Sequence, residues 1–104
     1  MKSIINGRRY DTGNAVLIGE YAYGTASGFE GWEAALYRTP RGKQYFLAGS
    51  GGPMTRYSRA SGQHSLGGGE RIDPLTPEEA LAWAEEYLSA DDFEQEFSSM
   101  IEDA

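Results

Sequence analysis

The sequence predicts a single α+β domain, in which an antiparallel sheet of four to five strands carries two C-terminal amphipathic acidic helices packed on one face. Three observations lead to this prediction. Residues 1–73 contain short β-prone runs separated by turn residues, residues 74–104 repeat apolar residues at helical spacing, and 104 residues suffice for one modest core. We therefore divide the chain into a β-rich part, 1–73, and an acidic helical part, 74–104.

The β-rich part begins with a predicted hairpin. Asn6-Gly7 supplies the positive φ angles of a tight two-residue turn between residues 3–5 and 8–10. A turn over 11–14 follows.

Three further strands are predicted from β-prone and alternating runs. Residues 15–23 form the first of them, and a loop over 24–31 follows. Residues 32–39 and 43–48 form a second hairpin around Pro40-Arg41-Gly42. Its alternation places Trp32, Ala34 and Leu36 on one face, and Tyr45 and Leu47 opposite Gln44 and Phe46.

Residues 49–69 are rich in glycine and predict a long loop. Only Met54, Tyr57 and Leu66 offer bulky anchors within it, and residues 55–60 have room for one helical turn. A brief strand over 70–73 closes the β-rich part.

The first helix is predicted over residues 77–88. At about 100° per residue its apolar residues share one arc and four acids share the opposite arc. Thr76 and Glu79 match a Thr-x-x-Glu capping box, and Pro77 suits the first helical position. The apolar arc contains Ala80, Leu81, Trp83, Ala84, Tyr87 and Leu88, and the acidic arc contains Glu78, Glu79, Glu85 and Glu86.

The second helix is predicted over residues 91–102. Phe93, Phe97, Met100 and Ile101 share one face of it. Its predicted N-cap is Ser89, and the acids that follow at 91 and 92 favour the positive end of the helix dipole.

Charge is divided unevenly along the chain. Residues 1–71 hold all nine basic residues and five acids, a balance of +4, whereas residues 72–104 hold eleven acids and no base, a balance of −11. Together they give the net charge of −7. This polarity indicates either pairing of the two parts within the fold or an anionic face kept for a cationic partner. It argues against direct binding of a phosphate backbone by the acidic part.

Composition excludes several classes of protein. The chain has no cysteine, so it has neither a disulfide framework nor a thiolate zinc site. Residues 1–10 lack the apolar run of a signal peptide, and no stretch approaches the length of a membrane span. We therefore expect a soluble cytoplasmic protein without a membrane partner.

Catalytic signals are weak. His64 is the only histidine, and no neighbouring acid is present to orient it. The Gly49-Ser50-Gly51-Gly52 run lacks the Gly-Lys-Ser/Thr ending of a phosphate-binding loop, and Pro53 removes one N–H donor. We therefore expect no catalytic residue, no metal and no cofactor. One alternative stays open, a small-ligand or nucleotide site in the 49–69 loop with Arg56 and His64.

Basic and aromatic residues alternate along the second hairpin and the loop, as they do in single-strand binders. Because the whole molecule is acidic, we expect no direct contact with nucleic acid. The residues concerned are Arg38, Arg41, Lys43, Arg56 and Arg59 with Tyr37, Tyr45 and Tyr57.

Several short runs resemble a group of small acidic proteins carried by phages, plasmids and integrated elements of bacteria. The likeness covers most of residues 4–88. The runs are Ile5-Asn6-Gly7-Arg8-Arg9-Tyr10-Asp11-Thr12, Leu36-Tyr37-Arg38-Thr39 with Gly42, Phe46-Leu47, Gly51-Gly52, Gly68-Gly69-Glu70, Pro74-Leu75-Thr76, and Glu78-Glu79-Ala80 with Trp83. The group has no established catalytic motif, so the resemblance implies a context rather than an active site. Accessory proteins of mobile elements often disarm host defence, and small acidic ones resemble anti-CRISPR inhibitors.

Charge and resemblance together favour a non-enzymatic inhibitor of the anti-CRISPR kind, acting in the cytoplasm of a host bacterial cell. Rows of carboxylates on rigid helices mimic a phosphate backbone, so the expected partner is a basic groove on a CRISPR effector protein or complex, whose DNA binding would be blocked. The partner-binding residues predicted are Glu78, Glu79, Glu85, Glu86, Asp91, Asp92 and Glu96. The alternatives are a self-associating structural protein, such as a homodimer, and the ligand-binding loop.

Overall fold

The computed structural model describes residues 1–25, 28–41, 44–60 and 66–104. It confirms the α+β prediction, because a four-stranded antiparallel sheet carries two C-terminal helices. The strands are β1 (Lys2–Ile5), β2 (Arg8–Asp11), β3 (Val16–Tyr23), β4 (Trp32–Arg38), β5 (Tyr45–Gly51), β6 (Arg59–Ala60), β7 (Leu66–Gly67) and β8 (Gly69–Leu75), and the helices are α1 (Pro77–Tyr87) and α2 (Ala90–Phe97). The main sheet has the order β3-β4-β5-β8.

The predicted first hairpin is confirmed as β1 and β2, a separate two-stranded sheet. Asn6 has φ 51° and Gly7 has φ 77°, the left-handed pair that a tight hairpin turn requires. Tyr10 on β2 is buried against Phe46 of β5, with ring centroids 5.4 Å apart, and Ile72 of β8 completes this cluster. The hairpin therefore covers part of one face of the main sheet.

The opposite face of the main sheet carries the helices. Leu36 of β4 lies beside Leu47 of β5, and both are buried under α1 and α2, as the predicted alternation requires. Ala80 and Ala84 on α1 are fully buried. Their small side chains let the helix approach the sheet closely, while Phe97 of α2 fills the remaining space.

Both predicted helix starts are confirmed. The Glu79 backbone N–H donates to Thr76 Oγ1 at 3.1 Å, and the Thr76 N–H donates to Glu79 Oε1 at 2.9 Å, which completes the capping box. Ser89 caps α2 by accepting from the Asp92 N–H at 3.2 Å. These interactions involve residues only three positions apart, so the local sequence suffices to predict them.

The predicted end of the second helix at residue 102 is wrong. Helix α2 ends at Phe97 and is followed by a single 3₁₀ turn, Ser98–Met100. Met100 and Ile101 remain 59% and 39% exposed and do not join the core cluster, so burial adds little to stabilise a further helical turn. The acids at the end of the chain would also oppose the negative end of the helix dipole.

The described parts of the glycine-rich stretch, 49–60 and 66–69, are more ordered than predicted. Strand β5 continues to Gly51 and pairs there with Gly69, the first residue of β8, and the short β6-β7 pair forms between them. Residues 55–60, which had room for one helical turn, form no helix; the Ser58 N–H donates to the Thr55 carbonyl at 3.1 Å in a single turn, and β6 follows. Tyr57 is buried as predicted, but Met54 and Leu66 are exposed and anchor nothing. Residues 61–65, including His64, lie outside the described residues.

Tyr57 holds this stretch against the sheet. Its ring lies directly over Gly49 of β5, where an added Cβ would lie 2.1 Å from the phenol oxygen. The guanidinium groups of Arg56 and Arg71 stand 5.5 Å and 5.4 Å from the ring centroid, and both pair with Asp73. This cluster of aromatic, basic and acidic side chains thus holds the stretch on the sheet, whereas Met54 and Leu66, the other two predicted anchors, are exposed.

Candidate functional site

Helices α1 and α2 present most of their acids on one exposed surface. The carboxylates of Glu78, Glu85, Glu86, Asp91 and Glu94 are exposed, and we call this set the acidic face. Because both helices pack on the same face of the sheet, their solvent-facing sides together form the outer surface of the helical layer. Glu94 was not among the predicted partner-binding residues, and its exposure became clear only in the structure, because on a helical wheel Glu94 and the half-buried Glu96 flank the apolar side about equally.

A shallow groove of about 470 Å³ runs between α1 and the end of the chain. Leu88, Phe93 and Ile101 give it an apolar floor, and Glu85, Glu94 and Glu102 also line it. Such a groove suits a long basic side chain, whose aliphatic stem lies on an apolar surface while its charged end meets a carboxylate.

Ion pairing leaves most of these acids without a cationic partner. Within the described ranges, the ion pairs are Arg38–Glu96, Arg56–Asp73 and Arg71–Asp73. They engage only Glu96 and Asp73 among the eleven acids of residues 72–104. Pairing of the basic and acidic parts, one of the two alternatives that the charge pattern left open, therefore neutralises a small share of the acids and leaves the acidic face unpaired within the described chain.

Glu96 has a partner inside the molecule. Its Oε2 accepts from Arg38 Nε at 2.8 Å and from the Tyr45 hydroxyl at 2.9 Å, and its side chain is only 14% exposed. Burial, strengthened by the hydrogen bond to Glu96 and by its charge, raises the pKa of Tyr45 to about 12. This carboxylate ties α2 to the ends of β4 and β5.

Two other predicted partner residues, Glu79 and Asp92, have contacts within the fold. Glu79 is exposed but its Oε1 is occupied by the capping box. Asp92 is half-buried, and its Oδ2 would lie 3.3 Å from a Cβ added to Gly19, which places it against β3. The structure therefore brings Glu78, Glu85, Glu86 and Asp91 onto a free surface and gives Glu79, Asp92 and Glu96 contacts within the fold.

A partly exposed aromatic cluster borders the acidic face. Tyr87 of α1 contacts Tyr21, Trp32 and Trp83, with ring centroids 5.0 to 5.4 Å apart. Burial, and then the nearby Glu86 carboxylate, raises the pKa of Tyr87. Trp and Tyr side chains are enriched at the hot spots of protein interfaces. The sequence did not reveal this cluster, because it joins β3, β4 and α1.

The basic and aromatic residues considered for nucleic-acid binding do not form one strip. Arg38 is occupied by Glu96, and Tyr37 stacks on Phe46 at 5.3 Å on the face away from the helices. Arg56 and Tyr57 belong to the cluster over Gly49. Lys43 lies outside the described residues.

The glycine run after β5 uses its backbone within the fold. Gly51 pairs with both β4 and β8, and the Gly52 N–H donates to the Gly31 carbonyl at 2.9 Å. These donors do not form an open cradle for phosphate. Within the described part of the chain, no group of three or more His, Asp or Glu side chains has an arrangement suited to a metal ion.

Comparison of the chain with protein-family models, with curated proteins and with solved structures finds no match. None of the helices among the described residues is long and apolar enough to cross a membrane. The function must therefore be inferred from the surface of the molecule itself.

Proposed function

We propose that the protein is a non-enzymatic inhibitor whose acidic face occupies a basic nucleic-acid-binding surface of another protein. One observation carries the proposal: within the described chain, only two of the eleven acids in residues 72–104 have an ion-pair partner. Unpaired like charges on adjacent helices repel one another, and no ion pair on the acidic face of the described chain offsets that repulsion. A cationic partner would offset it.

The placement of the acids favours a role in partner binding over a role in solubility alone. Glu85 and Glu86 lie in the last turn of α1, where the helix dipole disfavours negative charge. The groove beside Glu85 and the aromatic cluster beside Glu86 add apolar contact to the charge. A Lys- or Arg-lined channel would be steered toward such a surface and would hold it after docking.

The resemblance to small acidic proteins of mobile elements gives the proposal its context. Within that context the partner is a CRISPR effector protein or complex, and the acidic face competes with DNA for its basic groove, as anti-CRISPR inhibitors of the DNA-mimic kind do. The chain supplies charge and shape only, so no bond is made or broken.

The test is capture of a defined CRISPR effector by the tagged protein, with washes at low and then high salt. We expect retention at low salt and release at high salt, because exposed charges are screened over roughly 8 Å at physiological ionic strength. Glu85→Lys combined with Glu86→Lys should abolish retention. Both changes place a favourable charge at the end of α1, so helix loss would not explain the result.

The matched control is Glu30→Lys combined with Glu70→Lys. It changes the net charge by the same amount at exposed sites outside the helices. Retention of this control and loss of the helix variant would locate binding on the acidic face. Equal binding by both variants, or inhibition that survives charge reversal at Glu85, Glu86, Asp91 and Asp92 together, would refute the proposal.

A further inference from the structure

Strand β3 is an open edge of the main sheet. It pairs with β4 along one side, and no described segment hydrogen-bonds to its other side. Six of its eight residues are exposed. An edge strand of this kind presents a row of free backbone donors and acceptors that another strand can pair with.

The other edge, β8, is protected. Pro74 lies on it, and the Arg59 guanidinium donates to the Glu70 carbonyl at 3.3 Å. Strand β3 contains neither proline nor lysine. A bulge between Leu17 and Gly19 disrupts its first half, whereas the register against β4 is regular over residues 19–23. The open edge is therefore this second half.

Charge restricts what can pair with residues 19–23. Glu20 is exposed on the sheet face away from the helices, and Glu33 lies on the same face one strand inward, opposite Ala22. On the helix face, Asp92 lies against Gly19. Among the described residues, neither Glu20 nor Glu33 has an ion-pair partner. Met1 lines the same cavity as these two acids, and its amino group donates to Thr12.

These charges disfavour a second copy of the chain. Antiparallel pairing of residues 19–23 with themselves would bring the two Glu20 side chains onto one face as close neighbours, which is destabilising. They favour a strand whose side chains carry positive charge on the Glu20 side. Tyr21 and Tyr23, on the other face, offer apolar contact and are 36% and 52% exposed.

We propose that residues 19–23 of β3 accept an extended Lys- or Arg-bearing segment of a partner protein by strand addition. Side chains of the added strand alternate between faces, so every second one meets Glu20 and Glu33 while the others pack beside Tyr21 and Tyr23. The site lies on the sheet edge and shares Tyr21 with the aromatic cluster beside the acidic face. It uses none of the helix carboxylates, so it can be tested separately from the function proposed for the helices.

The probe is a decapeptide of alternating lysine and valine, and its control is a decapeptide of alternating lysine and proline. The two peptides carry the same charge, but proline cannot pair as a strand. Hydrogen exchange of backbone amides is followed by NMR on the full chain. With the valine peptide, we expect alternate amides within 19–23 to exchange about tenfold more slowly, and with the proline peptide we expect no such change.

Charge variants test the same site. Glu20→Lys combined with Glu33→Lys should weaken binding of the valine peptide by about tenfold or more, whereas Glu30→Lys should leave it unchanged. Glu20→Gln combined with Glu33→Gln repeats the test with a milder change, which guards against misfolding of the lysine variant.

Four results would overturn the proposal. Equal binding of both peptides, or protection confined to α1 and α2, would mean that charge alone is recognised. Absence of binding up to about 1 mM peptide would exclude a site of useful affinity. Protection of residues 19–23 without peptide, together with a dimer in sedimentation, would show that a second copy takes this edge.

Discussion

Glu96 shows how far a single side chain can differ from its predicted role. On a helical wheel it lies among the acids of α2, and it was predicted to bind a partner. In the structure it accepts from Arg38 and Tyr45, which lie far away in sequence at the ends of β4 and β5. The sequence could not reveal this, because the contact depends on how α2 crosses the sheet. By contrast, the caps at Thr76 and Ser89 are local and were predicted correctly.

Glu96→Gln should lower the free energy of unfolding by about 1–3 kcal/mol. The glutamine would leave the Arg38 guanidinium without its counter-charge in a site where the carboxylate is only 14% exposed. Urea unfolding followed by circular dichroism measures this change. Glu94→Gln, on the exposed side of the same helix, should change the value by no more than about 0.5 kcal/mol. Equal losses in the two variants would mean that the Arg38–Glu96 pair adds nothing to stability.

Tyr45 should ionise at a higher pH than an ordinary tyrosine. Its pKa in the folded protein is about 12 against about 10 in an unfolded chain, so folding holds the proton more tightly. The contribution to stability is therefore complete below pH 10 and is lost as the pH rises toward 12. Ultraviolet titration of tyrosinate should show a late step that Tyr45→Phe removes. Tyr23→Phe removes an exposed phenol and should leave that step in place.

At the scale of elements, local signals gave the first hairpin and the starts of both helices. Two predicted boundaries, the end of the second helix and the extent of the glycine-rich loop, are wrong for the same reason. Helix α2 ends early because Met100 and Ile101 do not join the core. The part of the glycine-rich stretch described before residue 61 is ordered because Tyr57 packs over Gly49. Both outcomes depend on contacts with residues distant along the chain, which neither periodicity nor turn composition encodes.

Gly49→Ala should destabilise the protein by about 1–3 kcal/mol. The new methyl group would meet the Tyr57 ring, which lies within 2.6 Å of the Cβ position at its closest three atoms. The ring would then shift, and its contacts with Arg56 and Arg71 would weaken. Thermal unfolding measures the loss.

The next residue on the same strand provides the control for Gly49→Ala. Ser50→Ala removes only an exposed hydrogen bond of 3.3 Å to Glu33 and should alter stability by no more than about 0.5 kcal/mol. Combining Gly49→Ala with Tyr57→Ala should cost less than the sum of the two single changes, because the clash requires the ring. Strictly additive losses would mean that Tyr57 does not hold the stretch over β5.

For the whole molecule, composition and periodicity were sufficient to predict the fold class but not the two surfaces on which the functional proposals depend. The aromatic cluster joins three elements, and the open edge exists because β8 joins β5 rather than β3. Strand order of this kind follows from the path of the chain after residue 51, which the sequence pattern leaves undetermined. The uneven charge was visible in the sequence. That few of the acids have an ion-pair partner within the described chain became visible only in the fold.

That uneven charge gives a prediction for the molecule as a whole: added salt should stabilise it. Raising the ionic strength from about 0.01 M to about 0.15 M shortens the Debye length from roughly 30 Å to roughly 8 Å. Repulsion among the exposed acids of α1 and α2 is then screened, whereas the Arg38–Glu96 pair is partly buried and loses less. A gain of about 0.5–1 kcal/mol would raise Tm by about 2–8 °C.

The helix variant used for the capture experiment decides whether the acidic face is the source of this effect. Glu85→Lys with Glu86→Lys changes the net charge from −7 to −3 and removes the repulsion at the end of α1, so its Tm should be higher at low salt and should rise less on adding salt. The Glu30→Lys and Glu70→Lys control should keep more of the salt response. A Tm that falls with salt in the parent protein would mean that the three ion pairs outweigh the repulsion, and the case for an unsatisfied acidic face would then be lost.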